Sequence, residues 1–137
     1  MPRWRRHRLG WPGWRGDGQG IVRGGRLPLE WTAARNVAWK AAIPGHGHSS
    51  PIVWGDRVFV TSAVPVGVSG DAQHAPRGQL NPRGVHRFIV MALDRKTGKT
   101  IWEQVATEAE PHERSHVDNG TWASSSAITD GQSVFAY

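Results

Sequence analysis

Cysteine is absent from the 137-residue chain, and its absence excludes several kinds of function. Without cysteine there is no disulfide framework, no thiolate zinc site and no thiol nucleophile. Long hydrophobic runs are missing too. The start of the chain holds no apolar stretch typical of a secretory signal, and no segment approaches the roughly 20 apolar residues of a membrane span. We therefore expect no membrane span in this chain.

Acidic residues are scarce near the N-terminus. Residues 1–26 hold seven Arg and a single acidic residue, Asp17, whereas the rest of the chain holds ten basic and ten acidic side chains. The net charge of +6 thus belongs to this terminal stretch. Arg beside Trp4, Trp11 and Trp14 would suit an arm for nucleic acid or a membrane surface. A solvated terminus is the simpler interpretation, because the body adds no positive excess, and we expect no nucleic-acid partner.

Helical periodicity is also lacking, and short β-branched or aromatic runs alternate with turns instead. Two such runs surround a Gly-Asp turn within residues 52–60, which predicts a tight hairpin. A strand over residues 88–93, a turn over 94–99 and a returning strand over 100–103 predict a second hairpin. The polar stretches that follow each pattern are predicted to be loops, over residues 64–85 and 105–121.

An internal repeat relates the first hairpin to the last part of the chain. Residues 49–61 (SSPIVWGDRVFVT) align without a gap with residues 125–137 (SSAITDGQSVFAY) and share six identities in 13 positions. The offset of 76 residues exceeds a common propeller blade of roughly 40 to 50 residues by about the length of the two loops. Two hairpins per unit predict a four-stranded blade, whereas an open β-sandwich would leave the repeated dipeptides unexplained. The predicted fold class is all-β, the N-terminal portion of a β-propeller with four-stranded antiparallel blades.

The most specific stretch of the chain is ALDRKTGKTIW at residues 92–102, which fits A-x-D-x-x-T-G-K-x-x-W at every fixed position. It resembles the tryptophan-docking repeat of pyrroloquinoline-quinone-type (PQQ-like) β-propellers, the family that includes quinoprotein dehydrogenases and the outer-membrane assembly factor BamB. Further stretches also look like the start of such a propeller: WPGWRGDGQGIV at 11–22, NVAWK at 36–40, PGHGHSSPIVWGDRVFVTSA at 44–63 and WASSSAITDGQSVFAY at 122–137.

The chemistry of this motif favours a fixed turn. The Asp94 carboxylate can accept backbone N–H bonds, the Thr97 hydroxyl can add a contact, and Gly98 can take positive φ without a Cβ clash. The resemblance implies that Trp102 docks between neighbouring blades near Ala92. It also implies that Trp39 lies on the outer strand of the blade that closes the ring. The predicted docking motif consists of Ala92, Asp94, Thr97, Gly98, Lys99 and Trp102.

Two other motifs are interpreted as structural. Gly98-Lys99-Thr100 ends like a phosphate-binding loop, but Leu93 stands where that loop requires glycine and no helix is predicted to follow. The serines at 49–50 and 124–126 lack a G-x-S-x-G elbow, and their repetition favours a role at strand starts.

Histidines offer candidate metal ligands in two places. His46 with His48, and His112 with His116 and Asp118, could supply imidazole and carboxylate ligands. An i, i+2 pair faces one way only on a strand, and the Pro and Gly around the first pair argue against a regular strand. We therefore expect surface or loop-packing roles and assign no metal site.

The resemblance carries different implications for the possible functions. A quinoprotein dehydrogenase would bring PQQ, a calcium ion held by carboxylate and amide oxygens, and often a vicinal disulfide, which this chain cannot form. No position matches the calcium ligands or the catalytic aspartate, so no catalytic, cofactor-binding or metal-binding residue is assigned. The leading hypothesis is a non-catalytic scaffold or binding propeller of the cell envelope, periplasmic or secreted. The alternatives are a PQQ-dependent alcohol or sugar dehydrogenase with its catalytic residues in other blades, and a sensor propeller fused to another domain.

Four segments describe the expected organisation: a disordered basic N-terminus over 1–10, a lead-in with a ring-closing strand over 11–48, a first full blade over 49–104, and a linker loop with the first hairpin of a second blade over 105–137. Because a propeller commonly needs 4 to 8 blades, we expect a fragment of a longer frame. Its partners would be the remaining blades and other proteins. Expressed by itself, it would expose the edge of the last hairpin to aggregation.

Overall fold

The computed structural model describes residues 10–16, 18–22, 27–67, 84–113 and 120–137. Residues 1–9 of the basic terminus and most of the loop expected over 64–85 lie outside these ranges, while Gly10, expected to be disordered, is part of a strand. The described residues form seven strands and no helix: β1 (Gly10–Trp11), β2 (Ile52–Trp54), β3 (Arg57–Pro65), β4 (His86–Asp94), β5 (Thr100–Ala109), β6 (Ile128–Thr129) and β7 (Val134–Phe135). The predicted all-β class is confirmed for this part of the chain.

The strands form two antiparallel sheets. One has five strands in the order β1-β2-β3-β4-β5, and the other is the hairpin β6-β7. Neither sheet closes on itself. Strands β2 to β5 form a meander, because each pairs with the next strand along the chain, as the two predicted hairpins require.

The meander is longer than the sequence pattern predicts. β3 and β4 pair over nine positions, from Arg57 with Asp94 to Pro65 with His86, and β5 runs to Ala109. The expected loop boundaries at 64 and 105 are therefore wrong, whereas the loop expected to end at 85 does end where β4 begins. Val64 is buried against the neighbouring strands, and burial extends β3 past the predicted end. β5 is an edge strand, in which polar residues that face solvent are tolerated. Its composition is therefore as polar as that of a loop.

Both faces of the five-stranded sheet are covered. One face carries a cluster of Val58, Val64, Ile89, Met91 and Leu93, against which Trp39, Ala41 and Ile43 pack from the upstream segment. The opposite face carries a cluster of Ile52, Phe59, Ala92 and Ala127, against which Trp54, Trp102 and Val134 pack. The sheet is thus a layer between an upstream segment and the downstream hairpin.

The lead-in differs from expectation. Residues 36–40 form no strand, so Trp39 does not lie on a strand as the resemblance implied. The strand that precedes the meander is instead β1, which pairs antiparallel with β2 and places Gly10 opposite Trp54. This pairing adds a fifth strand to the expected four.

The internal repeat is reproduced in the hydrogen-bonded register. Ile52 pairs with Phe59 in the first hairpin, and Ile128 pairs with Phe135 in the second, which are the same positions displaced by 76 residues. No helix in the described part of the chain has the length and apolar character needed to cross a bilayer.

Candidate functional site

The turn between β4 and β5 is held by one carboxylate. Asp94 Oδ1 accepts hydrogen bonds from the backbone N–H of Lys96 at 3.0 Å and of Thr97 at 2.8 Å, and from the Thr97 hydroxyl at 2.8 Å. The Gly98 N–H closes the turn on the Asp94 carbonyl at 2.8 Å. The Thr97 hydroxyl, followed by the Thr97 N–H, holds the pKa of Asp94 below its ordinary value. The turn is a fixed platform with an ionised carboxylate.

An indole ring covers this platform. Gly98 has a φ of 72°, and a Cβ added there would lie 2.5 Å from Cε3 of Trp39. Trp39 Nε1 donates a hydrogen bond to the Arg95 carbonyl at 2.8 Å. The face of the Trp39 ring therefore packs on Gly98, a contact that only glycine permits because any Cβ would clash with the ring. The indole N–H fixes the orientation of the ring. A tryptophan from the upstream segment docks on the predicted motif.

The tryptophan of the motif lies on the other face of the sheet. Trp102 pairs with Ala92 across β4 and β5. Its ring centroid lies 5.9 Å from that of Phe59, with the planes tilted by 48°, and its side chain is half-buried against the second cluster. Trp102 thus lies beside Ala92, whereas the turn residues engage a different tryptophan.

Lys99 does not join the docking contact. Its N–H lies 3.3 Å from the Thr97 hydroxyl, and the residue is exposed. Gly98-Lys99-Thr100 leads into the edge strand β5, so this segment lacks the helix start on which a phosphate-binding loop depends.

Two further tryptophans cover positive-φ glycines, and sequence reasoning missed both. Trp11 lies over Gly16, where an added Cβ would lie 2.6 Å from the ring. Trp54 lies over Gly131 of the second hairpin, where an added Cβ would lie 2.5 Å from the ring. The turn role of Gly131 was visible in the repeat. The tryptophan that covers Gly131 was not visible. The second repeat has Asp at the position equivalent to Trp54, so this turn has no neighbouring tryptophan of its own.

Hydroxyl and backbone groups join the starts of the two repeats. The Ser50 N–H donates to Ser126 Oγ at 2.8 Å, so two residues separated by the repeat length contact each other. The N–H groups of His48 and Ser49 both donate to the Ala123 carbonyl at 3.1 Å. The serines therefore connect the segments that precede β2 and β6.

The candidate metal ligands do not converge in the described structure. His46 exchanges backbone hydrogen bonds with Ala63, while His48 and His112 are exposed. His116 and Asp118 lie outside the described residues. Within the ranges that the structure covers, no three His, Asp or Glu side chains form a group that could hold a metal ion.

A buried histidine escaped the sequence analysis. His86 is 2% exposed at the start of β4, and its Nδ1 lies 2.7 Å from the Gly84 carbonyl oxygen. Its ring centroid lies 4.5 Å from that of Trp122, whose Nε1 donates to the Glu113 carbonyl at 2.9 Å. The histidine joins the meander to the segment before β6. An isolated histidine beside a glycine-rich stretch carries no sequence signal of burial.

Comparison of the chain with family models, with curated proteins and with solved structures gives no significant match. The docking contact of Trp39 and the internal repeat are therefore the features of the chain that bear on its function.

Proposed function

We propose that the chain is part of a PQQ-like β-propeller that acts as a non-catalytic scaffold or binding module of the cell envelope. The observation that carries the proposal is the docking of Trp39 on the Asp94 turn, through the Gly98 face and the Arg95 carbonyl. Such a contact joins one structural layer to the next at a fixed point. Blades of a propeller need contacts of this kind around their ring.

The layered packing supports the same proposal. The meander β2–β5 has the four-stranded antiparallel form of a blade, and its two faces contact different segments of the chain. The second hairpin repeats the register of the first and packs on the face that carries Ile52. A second blade placed against the first would begin in this way.

The two carboxylates with lowered pKa values support a structural role for their turns. Asp94 and Asp130 both accept backbone N–H bonds from residues two and three positions later. The pKa of Asp130 is lowered first by the Ser133 N–H and then by the Gln132 N–H. Because these acceptor sites already hold the turns, we assign neither carboxylate to a reaction.

The experiment that tests this proposal is structure determination of the full gene product, followed by titration with PQQ and calcium. We expect a closed ring in which Trp39 covers Gly98, and no saturable binding of PQQ. An open sandwich would contradict the propeller. Saturable PQQ binding, with oxidation of an alcohol or a sugar by a dye-linked assay, would replace the scaffold by a dehydrogenase.

A variant pair tests the docking contact separately. Trp39→Phe keeps a ring over Gly98 and loses the N–H bond to Arg95, so we expect a loss of about 0.5–1.5 kcal/mol in the free energy of unfolding. Trp31→Phe is the matched control, because Trp31 is 61% exposed. Equal effects of the two substitutions in urea denaturation would contradict the docking of Trp39 on the turn.

A further inference from the structure

The five-stranded sheet ends in a long edge. β5 is ten residues long and is the last strand in the order β1-β2-β3-β4-β5, so no described strand pairs with its outer side. Alternate backbone N–H and C=O groups of such a strand point away from the sheet and can pair with a further strand. Exposed edges are commonly blocked by Pro or Lys, and β5 contains neither. The edge is therefore open to strand addition.

The other described segments cover the faces of the sheet and leave this edge free. The hairpin that follows β5 packs on the face that carries Ile52, and the upstream segment packs on the opposite face. Among the described residues, the β5 backbone makes one hydrogen bond outside its ladder, and that bond is local: Gln104 Nε2 donates to the Val105 carbonyl at 3.3 Å. Residues 103–109 are all exposed.

A β-bulge places two carboxylates on one face of this edge. Glu103 pairs with Met91 and Glu108 pairs with Arg87, and the register shift between these pairs adds one residue to β5. Without the bulge, side chains five positions apart would point to opposite faces. With it, Glu103 and Glu108 both lie on the face that carries Met91, and Val105 lies between them.

The charge of this face selects the partner. β5 contains two Glu and no Lys or Arg, and Arg87, opposite Glu108 on β4, makes no ion pair with it. Outside the strand, Lys99 precedes it and Glu110 follows it. Two copies of β5 side by side would bring like charges together, which opposes pairing of the edge with itself. A strand with basic side chains meets opposite charge at both carboxylates.

The positions of the carboxylates also set the spacing of charges in the partner. Met91 and Arg87, opposite them on β4, are four residues apart, which is about 13 Å along an extended strand. A strand added on the outer side of β5 spans this distance with four residues. Its side chains at i and i+4 reach Glu103 and Glu108, and the side chain at i+2 lies beside Val105, which is 38% exposed.

We propose that β5 binds an extended peptide of another protein as a sixth strand, with basic side chains at i and i+4 and a β-branched apolar side chain at i+2. The main-chain hydrogen bonds supply affinity, and the two carboxylates supply specificity. The proposal goes beyond the scaffold function, because it needs only the pairing of β4 with β5 and not a closed ring.

The test is titration of the full chain with the acetylated, amidated peptide TTRTVTRTT, followed by calorimetry and by amide hydrogen exchange. We expect saturable binding and slower exchange at alternate amides of β5, because an added strand pairs with every second N–H of the edge. Two control peptides separate the contributions. TTETVTETT carries the opposite charge, and TTRTVTRTT methylated on its three central amide nitrogens keeps the charge but cannot donate the central hydrogen bonds. Both should bind more weakly by about tenfold or more.

Variants of β5 locate the contact. Glu103→Gln and Glu108→Gln should each weaken binding about two- to fivefold, the size of one cross-strand charge pair. Thr107 pairs with Phe88 and lies on the opposite face from Glu108. Thr107→Glu combined with Glu108→Thr therefore keeps the net charge and moves one carboxylate across the sheet, and it should weaken binding as much as Glu108→Gln. Glu30→Gln, at an exposed carboxylate outside the sheet, should leave binding unchanged. Unchanged exchange in β3 and β4 shows that each variant is folded.

Three outcomes would overturn the proposal: no saturation by the basic peptide, equal binding of the methylated peptide, or unchanged binding when the carboxylate is moved from position 108 to 107. Slow exchange at alternate β5 amides in the free chain would also overturn it, since the edge would then be covered by a second copy or by the chain itself, and sedimentation distinguishes these two cases. None of these results depends on ring closure, so the proposal and the scaffold function can fail separately.

Discussion

The two hairpins of the internal repeat share a register and differ in burial. Ile52 and Phe59, paired in the first hairpin, are 0% and 6% exposed, whereas the equivalent Ile128 and Phe135 are 56% and 52% exposed. The first hairpin is continued by β4 and covered by the second, and the second has no equivalent layer among the described residues. The comparison shows that local sequence sets strand pairing, while neighbouring layers set burial.

The largest difference between the hairpins should appear when their paired isoleucines are truncated. Ile52→Ala should lower the free energy of unfolding by about 2–5 kcal/mol, because it leaves a cavity in a fully buried site. Ile128→Ala should cost about 0.5 kcal/mol, since its side chain is largely in solvent. Urea denaturation of both variants measures the difference, and similar losses would mean that the second hairpin is covered in solution.

The turn glycines offer a second contrast. Gly55 and Gly131 both have positive φ, of 58° and 91°, so alanine should cost about 1–2 kcal/mol at either position. Nothing lies within 4 Å of an added Cβ at Gly55, whereas at Gly131 it meets the Trp54 ring. Gly131→Ala should therefore cost about 1–3 kcal/mol more than Gly55→Ala. Thermal unfolding of the pair checks this, and equal melting temperatures would show that Trp54 does not cover Gly131.

The serines that join the repeats give a smaller effect. Ser126→Ala removes the acceptor of the Ser50 N–H and should cost about 0.5–1.5 kcal/mol. Ser50→Ala keeps that backbone donor and the Ser126 acceptor, so its effect on stability should be close to zero. Chemical denaturation compares the two, and a larger loss for Ser50→Ala would contradict the direction of this bond.

The smallest effect concerns acid. Asp94 and Asp130 have pKa values below the ordinary value in the folded state, so their contribution to stability is present above about pH 4 and is lost as pH falls through the folded-state pKa. Both carboxylates are in contact with solvent, which limits the size of the effect. Asp94→Asn should reduce the loss of stability between pH 7 and pH 3 more than Asp130→Asn, because Asp94 also accepts the Thr97 hydroxyl. The midpoints of urea denaturation at the two pH values measure this difference. If Asp94→Asn loses as much stability in acid as the parent chain, Asp94 is not the source of the acid sensitivity.

The pairing of strands could be predicted from the sequence, because alternation and turn residues act over a few positions. Gly-Asp at 55–56 and the Asp94 turn marked the hairpins of the meander, and the repeat marked the hairpin within 125–137. Strand ends were harder to predict. Pro65 and Ala109 belong to strands because of pairing with distant residues, and no local pattern reports such pairing.

Of the contact between Trp39 and the Asp94 turn, only the turn could be predicted. The roles of Asp94, Thr97 and Gly98 follow from the chemistry of turns. The ring that covers Gly98 belongs to Trp39, which is 56 residues from its hydrogen-bond acceptor, the Arg95 carbonyl. Trp39 lies on an irregular segment, so no periodicity indicates the direction of its side chain. The burial of His86 was unpredictable for the same reason, because its contact with Trp122 depends on tertiary packing.

The meander also has a consequence for the order of folding. Strands β2 to β5 pair with neighbours along the chain, while the bonds that attach the flanking layers span 56 residues at Trp39 and 76 at Ser50. Closing a longer loop costs more entropy before its contacts form. We therefore expect the meander to form first as a nucleus, and the upstream segment and the second hairpin to join it afterwards, one on each side.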